Sequence, residues 1–149
     1  MRIVRGFLAA ETARDWETWE GSLHPEVEYV LVGAQGAAKG CEHYLDHVRQ
    51  TYADLPDWQR RIVHILARGN VVIAECEGSG HFSGTHRGRK HERTPLCLQT
   101  VYVFELERQR VRRVREYFDC VGYERQLLAG GPQEEIEEQR RSDRCRTAA

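Results

Sequence analysis

Glu116 lies in VRRVREYFD, Val111 to Asp119, a segment that alternates like a strand. It shares one face of that alternation with Val114 and Phe118. A carboxylate on an apolar face is costly unless it is paired or protonated. Desolvation raises its pKa toward the range in which a general base or acid works. Tyr29, Tyr102 and Thr100 are candidate partners, and a hydrogen bond from any of them satisfies the carboxyl with or without chemistry. A tyrosine hydroxyl also suits a developing oxyanion. His81, in GSGHFSG, and His86, in GTHRG, compete as a second acid or base. Asp119 reads as the N-cap of a following helix rather than as a catalyst.

Other chemistries find no footing. The five cysteines are odd in number and scattered, with no C-x-x-C pair, which argues against a disulfide framework and a cysteine zinc site. Phosphate loops, nucleophile elbows and His/Asp metal clusters are missing from the sequence, so no metal or cofactor is expected. The 22 Lys and Arg residues are matched by 23 Asp and Glu, leaving no basic field for nucleic acid. No apolar run approaches the length of a membrane span. The start, MRIVRGFLAAETARDW, is too charged for a signal peptide, so a cytoplasmic protein with reduced thiols is expected.

Elements able to position these groups follow from periodicity. The apolar spacing of Val4, Phe7, Leu8, Thr12, Trp16 and Trp19 predicts one helix over 3–20. Val27–Val32 reads as a strand, Gly33–Gly40 as a loop, and Cys41–Ala53 as a helix stopped by Leu55-Pro56-Asp57. Gln59–Ala67 alternates around Ile62, His64 and Leu66, and Gly69-Asn70 signals a hairpin. Val71–Phe82 follows, then a polar loop over 83–94, SGTHRGRKHERT, suited to a lid or to an anionic ligand group. Pro95–Glu107 and Val111–Asp119 close a run of four antiparallel strands before a short helix. The fold class is α+β, with helices over the concave face of a curved, mostly antiparallel sheet. The domain spans 1–128, and 129–149 is a charged tail.

Such a sheet makes a cup, the default small-molecule site. Parity places Leu98, Thr100, Tyr102, Val114 and Phe118 inside it, with Cys76 on the face of Val72, Ala74, Gly78, Gly80 and Phe82. The small residues of that face leave room above the sheet. Trp16, Trp19, Tyr52 and Trp58 are candidate walls, and His64 a satisfied strand histidine.

HPEVEY, VHILARGNVVIAE and VRRVREYFD, in this order of elements, resemble the SnoaL-like group of the nuclear transport factor 2-like superfamily over about residues 3–128. The hairpin Val63–Glu75 and the closing REYFD are similar to segments of limonene-epoxide hydrolases. The resemblance implies a cone-shaped α+β barrel and a homodimer through the outer sheet face, here the one carrying Arg113, Arg115 and Tyr117. Of the residues with which those hydrolases hold a water, the last-strand Asp falls on Glu116 and the Tyr on Tyr29. The Asn falls on Leu31, and the Arg and second Asp on Cys76 and Gly78. A hydrolase would need replacements for that Arg and Asp, such as Glu77 or His81. Cyclases of the SnoaL type also place an Asp base at Glu116, with a histidine matched by His81 or His86. The expectation is a cofactor-independent cyclase or isomerase acting on a hydrophobic polyketide- or steroid-like molecule, with Glu116, Tyr29 and His81 catalytic. An epoxide hydrolase with an altered set, or a non-catalytic binding or dimerising module, is the alternative.

Overall fold

The computed structural model of the protein describes residues 1–33 and 36–130; the charged tail expected beyond Gly130 lies outside them. The elements are α1 (Arg2–Ala13), α2 (Trp16–Gly21), β1 (Leu23–Val32), β2 (Gly36–Lys39) and α3 (Cys41–Asp54). They continue with β3 (Gln59–Arg68), β4 (Val71–His86), β5 (Arg89–Glu107), β6 (Arg110–Phe118) and α4 (Cys120–Ala129).

The helix expected over 3–20 is two helices. Arg14 adopts the left-handed conformation at φ 58°, which ends α1. The Asp15 side chain then accepts the Thr18 N–H at 3.1 Å and starts α2. Part of the expected loop at 33–40 is β2, antiparallel to β1. The polar segment 83–94 is paired strand almost throughout. Gly84, Thr85 and His86 face His91, Lys90 and Arg89 across a turn at Arg87-Gly88, so backbone pairing replaces the expected loop.

The sheet order is β2-β1-β6-β5-β4-β3. β3 to β6 are consecutive antiparallel neighbours as expected, whereas β1 joins β6 in parallel. The sheet stays open, with β2 and β3 as its edges. Where β6 ends, α4 takes over its role. The Gln126 amide accepts the Cys97 N–H at 2.8 Å and donates to the Cys97 carbonyl at 2.9 Å, continuing the free side of β5. Asp119 caps α4 by accepting the Gly122 N–H at 2.9 Å.

Helices α1, α2 and α3 lie over the concave face. Phe7, Trp19, Tyr44, Val48 and Tyr52 meet Phe104, Val72, Ala74 and Val114 in one core. Two local corrections shape it. Val63 is bulged out of the β3–β4 ladder, so the alternation Ile62, His64, Leu66 breaks. Ile62 and Ile65 pack inward, while Leu66 is exposed and His64 bonds Glu75 at the surface. The room expected above Gly78 and Gly80 is filled by Trp58: a Cβ on Gly78 would stand 2.1 Å from its Cζ2.

Candidate active site

The chemistry-bearing groups rise from one row across the concave face. Leu31 of β1, Glu116 of β6, Tyr102 of β5 and Ala74 of β4 are successive register partners. Tyr29, two residues before Leu31 on β1, points to the same side. Its hydroxyl donates to Glu116 Oε2 at 2.8 Å, and Tyr102 donates to Oε1 at 3.0 Å. Each carboxyl oxygen thus accepts one phenolic proton. Thr100 makes no bond to it.

Burial pushes the Glu116 carboxyl above the ordinary range, against the opposing pull of Arg60 and of the two tyrosine hydrogen bonds. Burial, reinforced by the Glu116 charge, drives the Tyr29 phenol upward; burial also raises Tyr102. Both therefore act as neutral donors. Tyr29 is wedged in place by Tyr44, stacked at 4.6 Å between ring centroids, with the His47 imidazole at 4.9 Å. His47 is half-buried, and burial lowers its pKa, which favours the neutral ring.

A second buried pair completes the cup. Arg60 Nη1 lies 2.8 Å from Glu11 Oε1, with both side chains under a tenth exposed. Glu11 also accepts from Trp19 Nε1 at 3.2 Å and from the Tyr52 hydroxyl at 3.4 Å. The Arg60 guanidinium stacks 5.0 Å from the Tyr102 ring centre. Tyr102 thus links the cation on its face to the carboxylate at its hydroxyl. Burial pulls the Arg60 pKa down, but Glu11, Tyr102, Tyr52 and Glu116 together outweigh it, so Arg60 keeps its charge.

Sequence reasoning passed over Glu11 and Arg60, although the signal was the one that marked Glu116. Glu11 continues the helical stripe of Val4, Phe7 and Leu8, and Arg60 shares strand parity with Ile62. Among the expected walls, Trp19 and Tyr52 contact Glu11, and Trp16 packs edge-on against both at 6.2 and 5.8 Å. Cys76 and Thr100 are register partners beneath them, and burial raises the Cys76 thiol to about 11. Val114 is core, Leu98 pairs with Gly78, and Phe118 meets Tyr123 of α4 edge-on.

His81 is not brought to Glu116. It lies seven residues beyond Ala74 on β4, about 23 Å along a strand rising ~3.3 Å per residue. There its Nδ1 pairs with Asp57 at 2.7 Å, near Arg93. His86 bonds Glu124 of α4 at 3.0 Å. Glu77, a considered replacement carboxylate, pairs with Arg61 in an exposed bridge. Among the described residues, no group of three or more His, Cys, Asp or Glu side chains is placed to hold a metal ion.

This open six-stranded cup, with a carboxyl on the last strand, belongs to a known family. The chain is a member of the SnoaL-like polyketide cyclase family, whose model matches residues 2–127. No curated relative matches it. Solved structures repeat the fold at low identity. An LEH-like epoxide hydrolase of M. tuberculosis is 23% identical with TM-score 0.71, covering 87% of this chain and 90% of its own. TsrD of Streptomyces laurentii is 21% identical with TM-score 0.73, covering 85% and 92%. IdmH of Streptomyces antibioticus, assigned as a polyketide cyclase, is 22% identical with TM-score 0.74, covering 85% and 96%.

Proposed function

We infer that the protein is a cofactor-independent acid/base enzyme that cyclises or isomerises a hydrophobic, carbonyl-bearing small molecule in the cup. The observation that carries this reading is the enclosed Glu116 carboxyl gripped by two tyrosine hydroxyls. Glu116, as carboxylate, takes a proton from the carbon next to the carbonyl. Once protonated it is a poorer acceptor, so Tyr29 and Tyr102 turn their O–H bonds to the new enolate oxygen. Their raised pKa keeps those protons on the phenols. The Arg60 charge on the face of Tyr102 favours the anion as it forms. His81 has no part in this step.

The test is hydrogen–deuterium exchange at carbons adjacent to the carbonyl, followed by NMR across a panel of polycyclic ketones and β-keto esters. Glu116→Gln is expected to keep the fold and ligand affinity and to lose about 100- to 10,000-fold in rate. A fully active Gln variant refutes the assignment. Binding with no exchange by either form supports a binding module instead.

One observation favours a second reading, epoxide hydrolysis. The buried Arg60–Glu11 pair, between β3 and α1, would stand in for the guanidinium and second carboxylate missing at Cys76 and Gly78. Incorporation of labelled water oxygen into a cyclic epoxide, lost in Glu116→Gln, would select it.

The outer sheet face is the proposed homodimer surface. Val30, Leu66, Ile73, Val101 and Tyr117 are exposed there in adjoining rows, and Arg115 Nε is buried without a hydrogen-bond partner among the described residues. Ionic rows flank the patch: Glu28–Arg113–Glu105 on one side, Arg61–Glu77 on the other.

A further inference from the structure

Between α1 and the free edge of β3 lies a groove of about 620 Å³. Its apolar walls include Leu8 and Ala9 of α1 and Ile62 of β3, and its charged groups are Arg5 and Arg60; no acidic side chain lines it. Arg60 lines this groove and also stacks on the ring of Tyr102, the donor to Glu116. Its Nη1 is spent on Glu11, while its Nε and Nη2 make no hydrogen bond among the described residues. A guanidinium pinned at one nitrogen by a buried carboxylate, with its remaining donors unspent, is a fixed fork able to meet an acceptor. Arg5, exposed on α1, adds a second positive charge to the same groove.

We propose that this groove binds the carboxylate end of an apolar carboxylic acid, with Arg60 as the fixed anchor and Arg5 as the outer charge. The assignment rests on the acid/base reading of the cup and names its substrate class: an apolar body bearing a carboxylate, oriented by Arg60 so that its reacting carbon faces Glu116. A carboxylate fits better than a neutral carbonyl, because two cations line the groove and the Glu11 charge balances one of them. Planar bidentate pairing is the strong mode for such a fork.

The experiment is calorimetric titration of the full chain with 2-naphthoate and with 2-naphthamide, which share size and apolar body and differ in charge. The acid is expected to bind at least about tenfold more tightly, the ratio of a charge-assisted to a neutral hydrogen bond. Arg60→Gln alone would strand Glu11, so the anchor is tested as the double variant Arg60→Gln/Glu11→Gln. Arg5→Gln, an exposed change, tests the outer charge with no risk to the core. The acid preference should vanish in the first and shrink in the second. Equal affinities in the native protein, or an undiminished preference in either folded variant, overturn the assignment. Because the readout is equilibrium binding, its outcome is independent of the role of Glu116. A fully active Glu116→Gln variant would refute the acid/base step while the acid-over-amide ratio still judged the groove.

Discussion

Gly78→Ala tests the feature that closes the cup, the seating of Trp58 on bare backbone. A Cβ at Gly78 would lie 2.1, 2.6 and 3.0 Å from Cζ2, Cε2 and Cη2 of the indole. Restoring ordinary contact at about 3.4 Å requires the ring to move by roughly 1.3 Å. Trp58 is only 6% exposed, so it has little free space to move into. Overpacking of this kind costs about 1–3 kcal/mol. Alanine's better strand propensity offsets about 0.5–1 kcal/mol of that. Taking the middle of each range, the net expectation is a loss of about 1 kcal/mol in urea unfolding, with an unchanged slope against denaturant. In a Trp58→Leu background the clashing ring is gone, and the same substitution should stabilise by about 0.5–1 kcal/mol. The sign reversal between backgrounds is the signature of a direct contact. Gly78→Ala as stable as the parent, or a cost that persists without the indole, would refute the packing argument. Arg60 follows Trp58 by two residues and pairs with Gly78 across the ladder, so displacing the ring should also weaken ligand binding.

Stability against pH gives a test of Glu116 that needs no substrate. Its folded carboxyl holds a proton above the ordinary Glu range, so its contribution is fully present below that range and is lost as pH rises through the raised value. Glu116→Gln should remove that decline, and parallel pH profiles of the two forms, measured by urea unfolding, would show the carboxyl to be unperturbed. Sedimentation should find a homodimer at micromolar concentration, converted to monomer by Tyr117→Asp on the exposed apolar patch; a monomeric parent protein would count against the outer-face interface.

Much of the scaffold was legible in the residues because it rests on local periodicity. Strand parity put Glu116 on the inner face with Val114, and the hairpin at Gly69-Asn70, the stop after Asp54 and the Asp119 cap were each written within a few residues. Departures began where a local pattern had two readings. Arg14 and Asp15 cut an apparently continuous helix, and the bulge at Val63 reversed the faces of the rest of β3. Paired backbone also claimed polar residues 84–91, which composition alone marked as loop. The site itself lay furthest from sequence reasoning. Periodicity says which way a side chain points, not what it meets. Tyr29 reaches Glu116 across 87 residues because β1 pairs in parallel with β6, and Glu11 reaches Arg60 across 49 because α1 crosses the mouth of the sheet. His81 carried a suggestive motif yet stands with Asp57, since position along β4, not motif, sets its distance from the carboxyl. Sequence determined that a costly carboxylate faced inward; tertiary structure decided that two phenols satisfy it, because only the folded sheet brings strands so distant in the chain into one row.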